Sequence, residues 1–180
     1  MFIQQKSALS AFTYEIFDLS DEPIGEINWP DFALAKNSNL KYLGQIFKNT
    51  QLTFNIKEKK YIIDFEYLGG QWFKDVEFTL IEQKTNKILS VAQAVSVPEE
   101  RRKLITIKEP FVGQFNNQSS IFRIKFQVLD NKEELCIIEE PKRIQMRRKI
   151  ELKNISTQLV HLDIPVQVFF MFLALNASVR

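Results

Sequence analysis

The chain has 180 residues, 45% of them apolar and 26% charged, with a formal net charge of +2. That length favours one domain, and the balance of apolar and charged residues excludes a disordered chain. Near-neutral charge excludes a protein held on nucleic acid or membrane by overall electrostatics, so any such partner needs a local basic patch.

Period-2 alternation of apolar and polar residues runs along the chain and predicts β-strands. Phe12, Tyr14 and Ile16 alternate with Thr13 and Glu15. Leu19 to Pro23 has turn chemistry, and Ile24 to Trp29 returns. Residues 31–50 carry no clear period and leave room for a short helical turn. Tyr61, Ile63, Phe65 and Tyr67 share one face of the next strand, which Leu68-Gly69-Gly70-Gln71 closes as a turn. Phe73 to Ile81 returns, Lys84 to Lys87 turns, and Ile88 to Val97 runs on to Pro98. Leu104 to Ile107 is a short strand.

The loop 116–120 leads into the cleanest strand, where Phe122, Ile124, Phe126 and Val128 face in and Arg123, Lys125 and Gln127 face out. Asp130 to Glu133 turns it back into Leu135 to Ile138. Ile144 to Leu152 is the last strand. Roughly ten to twelve strands at this spacing predict an all-β sandwich or barrel.

The end of the chain is different. Ile164 to Val179 has no charged residue, and Val166 to Leu175 is apolar almost throughout. An element apolar on every side requires apolar surroundings on every side. It is shorter than the roughly 20 residues a membrane span needs. Pro165 suits a first helical turn and Asp163 suits an N-cap; a buried central strand is the alternative, since Val and Phe form strands well. The 16 Phe suit a wide interior. The expected fold is therefore all-β with one buried C-terminal helix: a closed barrel of roughly twelve strands around a central hydrophobic helix, spanning 1–180 as one domain.

Three stretches carry a family resemblance. Phe12 to Asp18 with Ile24 to Ile27, the hairpin from Phe122 to Ile138, and the run Asp163 to Leu175 together resemble the tubby C-terminal-like superfamily, which includes the LURP-one-related proteins and the phospholipid scramblases. The resemblance implies about twelve strands closed around a last, central helix. It also implies phospholipid binding as an expectation. The calcium-binding segment, cysteine-rich stretch and terminal membrane span of scramblases have no counterpart here.

Candidate chemistry is sparse. Cys136 is the one cysteine and His161 the one histidine, so an intrachain disulfide and a multi-cysteine zinc site are excluded. A lone thiol fits a reducing compartment, and Met1 to Lys6 lacks the pattern of a secretory signal; the expectation is a cytoplasmic protein, in part peripheral to a membrane. His161 with Asp163 lacks a serine elbow or further ligands. The pairs Asp21-Glu22, Glu99-Glu100, Glu133-Glu134 and Glu139-Glu140 fall at turns or strand ends, where solvated charge is the default. No cofactor or metal is expected, and the chain is read as a non-enzymatic binding module.

Lys142, Arg143, Arg147, Arg148 and Lys149 form the one dense basic run, five charges within eight residues. They are the candidate anion- and lipid-binding residues. Smaller clusters are Arg101-Arg102-Lys103 and Lys57 with Lys59 and Lys60. Strand alternation puts Arg143, Arg147 and Lys149 on an outward face and Arg148 in phase with inward Ile150. An inward arginine must be paired, so Arg148 belongs either to a structural ion pair at the barrel mouth or to a polar site. No aromatic residues interleave with the basic run, which argues against nucleic acid. The alternative function is a protein-interaction domain that pairs through a sheet edge or the N-terminal segment.

Overall fold

Alternation with one apolar face forces a sheet to cover that face, and closing the sheet on itself covers it completely. The computed structural model describes residues 1–7, 13–28, 52–69, 75–97, 102–120, 123–141, 147–153 and 162–178. Its strands are β1 (Phe2–Gln5), β2 (Thr13–Phe17), β3 (Pro23–Asn28), β4 (Leu52–Ile56), β5 (Lys59–Gly69), β6 (Asp75–Glu82), β7 (Lys87–Val97), β8 (Arg102–Glu109), β9 (Gly113–Asn117), β10 (Lys125–Asp130), β11 (Glu133–Glu139) and β12 (Lys149–Lys153). One helix, α1 (Ile164–Ser178), follows. Each strand pairs antiparallel with its sequence neighbours, and β1 pairs with β12 to close a twelve-strand barrel.

Closure depends on the first residues of the chain. Ile3 lies opposite Ile150 on one side and Ile16 on the other, and all three are buried. The N-terminal segment is therefore a stave of the barrel, and neither β1 nor β12 offers a free edge. A protein partner would have to meet side chains or connections, not add a strand.

The terminal apolar run is the helix, not the central strand, and it fills the barrel. Val166 and every residue from Val168 to Leu175 are buried around the whole circumference of α1. The Asp163 carbonyl accepts the Val166 and Gln167 N–H groups at 2.9 and 3.3 Å and starts the first turn. The packing is asymmetric. The α1 backbone comes closest to β7, β8 and β12, and β7 turns Ser90, Ala92 and Ala94 toward it. Small side chains there make room for the helix. Elsewhere phenylalanines span the gap: Phe170 meets Phe115 edge-on at 5.8 Å and Phe172 meets Phe78 at 5.6 Å.

Much of the outer wall is polar, with ion pairs such as Lys108 and Glu77 at 2.8 Å, and Ile62, Ile81, Val91 and Leu104 face outward among these charges on β5 to β8. This differs from a membrane-spanning barrel, whose outward band is continuously apolar. Among the described residues no helix is long and apolar enough to cross a membrane.

Strand direction gives the barrel two unlike ends. The short turns 18–22, 57–58, 83–86, 110–112 and 131–132, and the start of α1, lie at the hairpin end. Every non-glycine residue with positive φ among those described is there: Asp21, Lys57, Asn86, Asn131 and Lys132. Asn131 and Lys132 form a two-residue loop between paired Asp130 and Glu133, the turn whose twist suits a hairpin. At the opposite, connection end, longer segments join β1 to β2, β3 to β4, β9 to β10 and β11 to β12, and a four-residue segment joins β7 to β8.

Cys136 faces inward on β11, and burial pushes its thiol up to about 12. Native protein is expected to react slowly with a thiol reagent and quickly once unfolded, as measured by labelling with and without denaturant. The sign of the pH effect follows. An unfolded thiol ionises near pH 8.5–9, so stability is fully present below that value and falls as pH rises toward about 12. The expected slope from this group is about 1.4 kcal/mol per pH unit. Burial shifts Tyr14 and Tyr61 upward too and adds slope at higher pH. Denaturation of Cys136→Ala across this range isolates the thiol's share: fast native labelling or an unchanged slope would contradict its inward placement.

Candidate anion-binding site

β11 leaves the wall at Glu139 and β12 re-enters it at Lys149, so the basic run belongs to the connection between them. Lys142, Arg143, Ile144 and Met146 lie outside the described residues. The expected last strand from Ile144 starts, as described, only at Lys149; Arg147 and Arg148 precede it. Strand alternation therefore does not extend to Arg147 and Arg148. Within β12 it holds: Ile150 and Leu152 are buried, with Lys149, Glu151 and Lys153 on the outer wall.

Arg148 is a clasp. Its N–H donates to Gln5 Oε1 at 3.1 Å, and the Gln5 N–H donates to the Arg148 carbonyl at 2.8 Å, joining β12 to β1. Its Nε donates to Glu140 Oε1 at 2.5 Å. The other carboxylate oxygen of Glu140 accepts the Ile124 N–H at 3.0 Å, and the Arg123 Nε donates to the Glu140 carbonyl at 2.9 Å. One carboxylate thus ties the approach to β10 and the end of β11 to the entrance of β12. Tyr14 lies buried beside this group: burial raises its pKa, the Arg148 charge opposes the rise and the Glu140 charge adds to it. Of the two roles open to Arg148, this geometry fits the structural ion pair.

Lys149 is also engaged. Its Nζ sits 3.0 Å from Glu151 and 3.7 Å above the Phe2 ring, which stacks on Phe17 at 4.5 Å. Lys153 bridges Glu151 at 3.0 Å and Glu139 at 3.1 Å, and Arg123 closes on the other oxygen of Glu139. Burial alone would raise Glu151, but hydrogen bonds from Lys149 and Lys153 and their charges bring its carboxyl below the usual range. Lys153 is raised in turn by its hydrogen bonds to Glu151 and Glu139. Exposed pairs contribute little singly, but these alternate in a chain along three staves.

Glu139 and Glu140, expected as solvated charge, are half-buried partners of three cations. The basic run is accordingly split. Arg148 and Lys149 are neutralised within the wall. Arg147 is exposed and makes no ion pair among the described residues. Arg123 was not singled out in the sequence; its alternation with Ile124 and Phe126 marks it as outward but gives no hint of its carboxylates. Trp29, Trp72 and His161, with Glu99, Glu100, Arg101 and residues 31–50, lie outside the described residues. Among those described, no cluster of three or more His, Cys, Asp or Glu is placed to hold a metal ion. Compared with family models, curated proteins and solved structures, the chain finds no match.

Proposed function

We propose that this protein is a non-enzymatic binding module of the tubby-like kind. It engages anionic phospholipid headgroups from the cytoplasmic side of a membrane. The contact residues are Lys142, Arg143 and Arg147, with Arg148 and Lys149 holding the connection's return into the wall. Twelve antiparallel staves followed by a last, enclosed helix support the tubby-like reading. The observation that carries the functional one is Arg147. It stands exposed at the connection end, directly beside an arginine locked to Glu140 and Gln5. A solvated cation on a fixed base is what a headgroup contact requires. The β7–β8 connection, with Arg101, Arg102 and Lys103 in or beside it, joins its strands at the same end. The barrel's centre is occupied by α1, so a ligand is met on the rim and not in the interior.

Each cation at an anionic surface contributes about 1 kcal/mol, screened by salt. Three give weak, reversible binding. The test is co-sedimentation with neutral and phosphatidylserine-containing vesicles at low and high salt. Wild type is expected on the anionic vesicles at low salt only. Reversing Lys142, Arg143 and Arg147 to Glu is expected to weaken binding by about a hundredfold or more. Lys149→Ala, which removes a paired cation, changes binding little. Equal binding by wild type and triple variant, or no binding at low salt, would overturn this reading in favour of a protein partner.

A further inference from the structure

The hairpin end carries a second surface that the headgroup reading does not use. Around the rim, the β2–β3 turn presents Asp18, Asp21 and Glu22. The β10–β11 turn presents Asp130, Glu133 and Glu134 with a single lysine, Lys132. These two turns flank the β12–β1 closure. Across the face, the β4–β5 and β6–β7 turns and the strand ends beside them present Lys57, Lys59, Lys60, Lys84 and Lys87 against Glu58 and Glu82. One half of the rim is acidic and the other basic. Lys153, at the end of β12 on the acidic side, and Asp163, whose charge acts on Lys59 on the basic side, reduce each half's charge without reversing its sign.

Exposed apolar side chains gather on the same face. Leu19 is 79% exposed, Val112 76%, Ile88 52% and Ile164 38%. Four of the six large exposed hydrophobics among the described residues therefore lie at this one end. Glu22, Glu133, Lys84 and Lys87 are exposed and make no ion pair among the described residues, so their charge is available to a partner.

We propose that this face binds a second copy of the chain, end to end. A partner of one charge would be attracted by one half and repelled by the other. A second copy, turned by a two-fold axis lying across the face, sets acidic half over basic half twice and covers the apolar tips. Such a contact is isologous and closes at two. The end of one small barrel falls below the standard interface of about 1,600 Å2, so the dimer is weak and salt-sensitive.

Sedimentation equilibrium up to about 1 mM protein, at roughly 0.03 M and 0.5 M salt, tests the pairing. Wild type is expected to dimerise at low salt and to dissociate at least tenfold more readily at high salt. Glu22→Lys, Glu133→Lys and Glu134→Lys together make both halves basic; Lys84→Glu with Lys87→Glu makes both acidic. Each variant alone is expected to be monomeric, and an equimolar mixture is expected to form a one-to-one heterodimer. Leu19→Asp with Val112→Asp should also give a monomer, whatever the charge variants do. A wild type that stays monomeric at low salt, or a mixture that does not pair, overturns the proposal. Neither result touches the headgroup reading, which concerns the opposite end.

Discussion

Removing residues 165–180 is expected to leave an insoluble or molten chain. The side chains that line the barrel, among them Phe54, Phe126, Ile105 and Leu80, are buried against one another and against α1. Without the helix they would face a void, and an apolar interior that wide does not hold water stably. A single substitution reads the same dependence quantitatively. Phe170 is fully buried, with its ring edge-on to Phe111 at 6.0 Å and to Phe115 at 5.8 Å. Phe170→Ala loses the transfer energy of the ring and opens a cavity between the helix and β9, at an expected cost of about 3–5 kcal/mol. The midpoint of urea unfolding should fall with an unchanged slope. Ile164→Ala, at the exposed start of the helix, should cost far less. A truncated chain that remains soluble and unfolds cooperatively would contradict the central role of α1.

The same physics explains how much of the fold was legible. Residues from Val166 to Leu175 lack a polar face, and no half-buried position satisfies such an element. Enclosure could thus be read from the sequence, while helix against strand rested on Pro165 and Asp163. The strands that alternate strictly, such as that through Ile124, Phe126 and Val128, were legible for the same reason. β1 and β9 were not, whereas β4 shows the same strict alternation in Leu52, Phe54 and Ile56 against Thr53 and Asn55 and was overlooked. Phe2-Ile3-Gln4-Gln5 is too short to display a period, and Gly113 to Asn117 reads as loop chemistry although Phe115 is buried. Those strands are specified by their neighbours: Phe115 opposes Ile105 and Val128, and register with both fixes it. The candidate site was legible as a charge cluster but not as a partition. Arg147 and Arg148 are identical and adjacent in sequence, and only the position of Glu140, eight residues before Arg148, separates them.

Gly25 is the position where local pattern says least and packing demands most, and replacing it is expected to have the second large effect. It occupies the middle of β3, opposite Ile16 and Ile56. Register with β2 shifts just beside it, between Ile16 and Phe17, so β3 is locally displaced. A Cβ added there would lie 1.9 Å from the Asn55 carbonyl oxygen and 2.9 Å from its carbon. Both are backbone atoms of the paired strand, so no rotamer change relieves the clash. β3 and β4 would have to separate, and Ile27 and Phe54, fully buried two pairs along the ladder, would move with them. Gly25→Ala is expected to cost about 3 kcal/mol or more, at the upper end of overpacking penalties, with Gly25→Val worse. Ordinary strand propensity predicts the opposite sign, since Ala and Val both exceed Gly in strands. Thermal or urea unfolding therefore decides between them: stabilisation by Ala would show that the two strands do not approach this closely, and destabilisation rising from Ala to Val follows from the contact with Asn55.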